Sequence, residues 1–168
     1  MDQEVELREF VSARGAALSR AAYLLTGDHQ AAEDLVQDTY VTLVRRWQKS
    51  GTLDPEAYVR KILYSRFVDG WRRRRLWELP WASPPDTAGG DEEGTATDRL
   101  TLQDALARIT PRQRAVLVLR FYEDLTESQT AVALGISPNT VKSQTRVALQ
   151  RLRELVPDAV TSFEGAES

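Results

Sequence analysis

Residues 125–153 read LTESQTAVALGISPNTVKSQTRVALQRLR, two short helices joined by a tight turn. Thr126-Glu127-Ser128-Gln129 forms a capping box, in which the threonine hydroxyl accepts from the amide three residues on and Gln129 reaches back to the cap. Ala131, Ala133 and Leu134 then face inward. Gly135 follows where the chain must turn through a conformation that glycine tolerates, and Ile136 plugs the junction. Ser137 and Pro138 open the second helix as N-cap and first helical residue, because proline has no amide to leave unpaired there. Beyond them Val141, Val147 or Ala148, Leu149, Leu152 and Leu155 recur at helical spacing and pack inward. Ser137, Asn139, Thr140, Lys142, Ser143, Gln144 and Arg146 are left on a polar, short-armed, cationic outer face.

A helix with such a face, placed after a short turn, is how helix-turn-helix proteins set base-reading side chains in the major groove. Asn and Gln can read adenine, Lys and Arg can read guanine or grip phosphate, and Ser or Thr can do either. Helical hairpins are also common structural units with merely solvated polar faces. The weight therefore falls on the rest of the chain.

Upstream, the periodicity is helical throughout, which predicts an all-α protein. Leu7, Phe10, Val11, Ala17, Leu18, Ala21, Ala22 and Leu25 predict a helix over 5–26, interrupted or softened near Gly15 and broken at Gly27-Asp28. A second helix over 29–49 packs Leu35, Val36, Tyr40, Leu43, Val44 and Trp47. Asp34, Gln37 and Asp38, at i, i+3 and i+4, share one acidic patch on its surface. Asp54-Pro55 starts a third helix, to about residue 75, with Tyr58, Ile62, Leu63, Phe67, Val68 and Trp71 available for packing. Aromatics and cations interleave along it, ending in Arg72, Arg73, Arg74 and Arg75. That composition suits phosphate contact and stacking on unpaired bases.

Residues 81–97 are rich in Pro, Gly, Ala and acid and read as a flexible linker. A second helical segment begins near residue 98, where Leu100, Leu102, Ala105, Leu106 and Ile109 pack. Thr110-Pro111-Arg112-Gln113 repeats the capping box ahead of the apolar run AVLVLRFY. The expected organisation is two small helical domains, 1–80 and 98–157, joined by the acidic linker 81–97 and followed by an acidic tail, 158–168.

Net charge is −3 over 168 residues, which looks wrong for a nucleic-acid binder. Divided, the chain carries 13 Lys/Arg and 12 Asp/Glu in 1–80, and 9 and 5 in 99–156. The acid is concentrated in 81–98 and in the tail. With no Cys and one histidine, His29, neither a disulfide framework nor a Cys/His metal cluster is expected, and no cofactor site is foreseen. The start MDQEVELREF lacks a basic, apolar signal region, and no run approaches a membrane span, so a cytoplasmic protein without membrane insertion is expected.

Three ordered segments, AAEDLVQDTYVTLVRRW, PEAYVRKILYSRFVDGWRRRR and LTESQTAVALGISPNTVKSQTRVALQRLR, resemble the extracytoplasmic-function (ECF) sigma factors of bacterial RNA polymerase, in particular the actinobacterial subgroup. The resemblance covers about residues 10–156. It implies a promoter-specificity subunit without catalytic activity, whose partners are core RNA polymerase, promoter DNA and an anti-sigma factor or other regulator. On this resemblance Asp34, Gln37 and Asp38 bind polymerase. Arg60, Lys61, Tyr64, Ser65, Arg66, Asp69, Trp71, Arg72, Arg73 and Arg74 belong to the segment that melts and holds the minus-10 strand, and the outer face of residues 138–151 reads the minus-35 element. Ser65 stands where the family often has Asn, and Gln144 where many relatives have Arg, so base preferences do not carry over. The competing reading is an autonomous operator-binding regulator with an N-terminal sensor or dimerisation domain, which the Arg72 to Arg75 run disfavours. A nucleic-acid-processing enzyme is poorly supported, because no phosphate loop or nucleophile-base pair is visible.

Overall fold

The computed structural model describes residues 2–47, 54–77 and 101–157, with residues 71–77 described as backbone only. Seven α-helices occur in these spans: α1 (Gln3–Thr26), α2 (His29–Trp47), α3 (Pro55–Trp77), α4 (Leu102–Ala107), α5 (Pro111–Leu117), α6 (Glu127–Leu134) and α7 (Pro138–Leu155). One π-helical turn, Val118–Tyr122, continues α5. The expected linker, 81–97, and tail, 158–168, lie outside the described residues.

The local signals for helix ends operate as the sequence predicts. Thr110 and Thr126 each close a capping box with Gln113 and Gln129, and Ser137 accepts from the Thr140 amide ahead of Pro138. Each such cap is worth about 1 kcal/mol to a short helix. Thr101 and Asp104 form a third box, which fixes the start of α4. Gly27 and Gly135 end α1 and α6 in the left-handed region, at φ 70° and 65°.

One expectation about α1 is corrected. The helix runs unbroken through Gly15, where a Cβ would stand 3.4 Å from the Tyr40 hydroxyl of α2, at van der Waals contact. Glycine's conformational cost is borne here by the helix on either side of it, which continues without interruption.

α1, α2 and α3 pack together around Leu18, Ala21, Ala22, Leu25, Val36, Leu43, Val59, Leu63 and Tyr64. The same apolar cluster continues into the C-terminal helices through Ala115, Val118, Leu119, Leu125 and Ala133. Smaller clusters complete the C-terminal half, one around Leu106, Leu117, Ala148 and Leu152, the other around Val116, Ala131 and Val141. The two helical regions are thus packed against each other across α3, α5 and α6.

Polar contacts reinforce this junction. Arg114 is buried, and its guanidinium donates to the carbonyls of Leu106, Ala107 and Ile109 and to that of Leu25 in the last turn of α1. It also lies 5.7 Å from the Phe67 ring centroid of α3. Burial lowers its pKa to about 10, which leaves it charged at neutral pH and satisfied by carbonyl dipoles in place of a carboxylate. Gln103 donates to the carbonyls of Tyr23 and Leu24, and Arg20 to the Tyr122 hydroxyl.

Candidate polymerase and nucleic-acid interfaces

On α2 the burial pattern separates two faces. Ala32, Val36, Thr39 and Leu43 are buried, while Asp34, Gln37 and Asp38 are exposed together on the opposite side. Gln30 donates to the Asp34 carboxylate at 3.1 Å, one turn earlier. Val44, expected in the packing stripe, is 44% exposed, and Val41 is 49% exposed. Val41 lies at i+3 from Asp38 and i+7 from Asp34, so it falls within the acidic patch and makes that face apolar as well as anionic. Val41 could have been found by extending the i, i+3, i+4 series one further turn.

α3 divides its predicted residues differently. Lys61, Arg66 and Asp69 are exposed, and Arg60 and Ser65 are half-buried. The helix backbone continues through Trp71, Arg72, Arg73 and Arg74, whose side chains lie outside the described residues. Tyr64 is fully buried and offers DNA no surface in this arrangement. The cause is the C-terminal region packed over α3. Burial raises the Tyr64 pKa well above its ordinary value, with the charge of Glu123 and the approach of its carboxylate to the hydroxyl adding to it, although the hydroxyl makes no hydrogen bond of good geometry among the described residues. Arg60 pairs with Glu123 at 2.5 Å and, more loosely, with Glu56 at 3.8 Å. Glu56 in turn pairs with Arg14 of α1. Arg66 donates to Thr42, tying α3 to α2.

Within the C-terminal region, α6 and α7 form the anticipated helix-turn-helix around Gly135. Val141, Ala148 and Leu152 hold α7 to its neighbours. Ser137, Asn139, Lys142, Ser143 and Arg146 are exposed, and Thr140 is half-buried. One open alternative along this helix is resolved and one outward residue is displaced. Ala148 takes the inward position and Val147 is 46% exposed. Gln144 is half-buried on the flank, because it lies three residues after Val141 and four before Ala148, beside the packing stripe. Gln150 and Arg151, within the predicted 138–151 span but not singled out there, extend the exposed side of α7 by a further turn.

An anionic helix face, a helix carrying exposed cations and a capped helix-turn-helix therefore stand in the order in which the three sequence segments occur. A sigma-70 region 2 family model matches residues 10–76, and a sigma-70 region 4 model matches residues 105–154. Over 153 residues the chain is 39% identical to the RNA polymerase sigma-E factor of Streptomyces avermitilis, covering 89% of this chain and 84% of that one. It is 33% identical over 156 residues to the ECF RNA polymerase sigma factor SigL of Mycobacterium tuberculosis, covering 88% and 86%. The chain belongs to the ECF sigma factors.

The fold of this sigma factor also matches that of the Bartonella quintana sigma factor RpoE, solved in complex with the anti-sigma factor NepR. The TM-score is 0.66 at 24% identity, over 89% of this chain and 96% of that one. CnrH, solved with the cytosolic domain of CnrY, matches at a TM-score of 0.61 and 20% identity, over 98% and 91%. As a sigma factor the chain directs RNA polymerase in promoter-specific initiation and is a non-catalytic subunit, which sets aside both the operator-binding regulator and the enzyme. Among the described residues, no helix is long and apolar enough to cross a membrane.

Proposed function

We propose that this sigma factor divides its work among three helix faces. Asp34, Gln37 and Asp38 of α2 dock on a basic surface of core polymerase. The α3 segment around Lys61, Arg66 and Arg72 to Arg74 holds and helps to melt the minus-10 region, and the outer side of α7 reads the minus-35 element. An anti-sigma factor or another protein regulator controls access to these faces; the Bartonella quintana relative of this fold was solved bound to an anti-sigma factor.

The observation that carries the docking assignment is the joint exposure of Asp34, Gln37 and Asp38 on a helix whose opposite side is buried. Three polar groups that take no part in the core are free to meet a partner. Asp34→Lys with Asp38→Lys puts like charge against a basic surface, at an expected loss of several kcal/mol of affinity. Capture of core polymerase by the double variant should collapse while its helical circular dichroism stays unchanged. Wild-type capture would assign the patch to solvent.

The α3 assignment carries a conformational requirement. With Tyr64 and Phe67 buried beneath the C-terminal region and Arg60 paired with Glu123, part of the α3 surface is already occupied within the chain. Isolated full-length protein is therefore expected to bind promoter DNA poorly, and polymerase binding to separate the two regions.

A further inference from the structure

Ser143, Arg146, Val147 and Gln150 are all exposed on α7 and stand at i, i+3, i+4 and i+7. That is the spacing with which a homeodomain's recognition helix lays two turns along the base edges of the major groove. Three of the four are polar. The fourth, Val147, is 46% exposed beside Ala148, which is fully buried and supplies the packing.

A single exposed valine is ordinary on a protein surface, and by itself means nothing. Its position gives it meaning here. A β-branched residue contributes little to the stability of a solvated helix, and Val147 lies one turn beyond Ser143, next to the cationic Arg146, on the side of the helix assigned to DNA. In the major groove the four bases present donors and acceptors, and only thymine adds an apolar group, its C5-methyl. The helix offers an exposed apolar side chain on this stripe, flanked by a cation suited to phosphate contact.

We infer that Val147 reads a thymine of the minus-35 element by apolar contact with its C5-methyl group. The inference rests on α7 being the minus-35 reading helix, and it adds to that role a base type and a mode of readout.

The experiment uses the full-length sigma factor bound to core polymerase. A promoter is first selected from a duplex library randomised through the upstream element, and each thymine there is then replaced singly by deoxyuridine, which removes only the methyl group. One thymine should lose about fourfold in affinity on demethylation, the size expected for burying one methyl group. In Val147→Ala the demethylated and methylated promoters should bind alike. Val132→Ala serves as the control, because Val132 is 69% exposed on α6, the other helix of the pair, and should leave the methyl effect intact. Both substitutions are at exposed positions and introduce a strong helix former, so folding is not at risk. A selected element without thymine, indifference to every demethylation, or the same loss persisting in Val147→Ala would each overturn the inference. Lys142→Ala and Arg146→Ala separate the two levels. If they weaken duplex binding while the methyl is ignored, Val147 alone has been misassigned; if they too have no effect, α7 is not the reading helix.

Discussion

Lys142, Ser143 and Arg146 point away from the region 4 core, whereas Gln144 sits on its flank, and substitutions at these positions should separate accordingly. Arg146→Ala is expected to weaken binding to all promoter sequences alike and to lower the slope of log affinity against log salt by about 1, as loss of a phosphate contact does. Ser143→Ala should instead cost about 1 to 3 kcal/mol at one base pair and relax preference there, and Gln144→Ala should change affinity less than either. A salt series with footprinting on the three variants checks all of this; a dominant effect at Gln144 would show that α7 rotates on binding. Tyr64 supports a test of a different kind, in the free chain. Its buried hydroxyl finds no partner among the described residues, so Tyr64→Phe relieves a desolvation cost and should stabilise the chain by about 1 kcal/mol in thermal unfolding. A destabilised variant would reveal a hydrogen bond, with Glu123 as the obvious acceptor. The exposed acids of α2 were legible in the sequence because helical spacing alone puts residues 34, 37 and 38 together. The burial of Tyr64 was not legible, because it depends on helices that enter the chain some fifty residues later and on how they pack.

At the level of the element, the helix-turn-helix was readable almost completely, since every signal that defines it is local. Thr126 with Gln129, Gly135, and Ser137 with Pro138 set its boundaries through hydrogen bonds and dihedral preferences that need no tertiary context. Gly135 shows how much rests on one such signal. At φ 65° a Cβ would meet nothing within 4 Å, so Gly135→Ala adds backbone strain without a clash. The expected cost is about 1 to 2 kcal/mol in thermal or denaturant unfolding, with Gly135→Asn milder because asparagine tolerates this region better. Equal losses for the two would point to a side-chain conflict in place of dihedral strain. The π-helical turn at Val118–Tyr122 had no readable signal: AVLVLRFY is apolar apart from Arg120, and nothing in it distinguishes a π turn from continued α-helix. That turn leads into Glu123 and the left-handed Asp124, at φ 55°, and so helps to set Glu123 beside Arg60. An interaction that joins two regions is thus built on a backbone irregularity that periodicity does not report.

For the whole molecule, the charge pattern and the packing give different reasons for poor DNA binding by the free chain. The charge pattern sets the acid of 81–98 and of the tail against the basic faces by attraction alone, which at a Debye length of about 8 Å acts only at close approach and weakens with salt. The packing points to burial: Leu119, Leu125 and Ala133 share one apolar cluster with Leu63, Tyr64 and Phe67, and apolar association is not screened by moderate salt. Ala133 is suited to discriminate between them, since it is only 5% exposed, sits on α6 where that helix meets α3, and can be enlarged without changing charge. Ala133→Gln should separate the regions, raise the radius of gyration, and increase polymerase-free DNA affinity by the same factor at low and high salt. Replacing Asp91, Glu92 and Glu93 with Asn and Gln should then change affinity little. The ordering of the two effects follows from the junction itself, in which Arg114 spans from the end of α1 to Phe67 and the Arg60–Glu123 pair is half-buried, so that an added electrostatic tether has little left to hold. If neutralising the linker releases DNA binding in a salt-dependent way while Ala133→Gln does not, masking is electrostatic, and the packed junction is a compact form that already admits DNA.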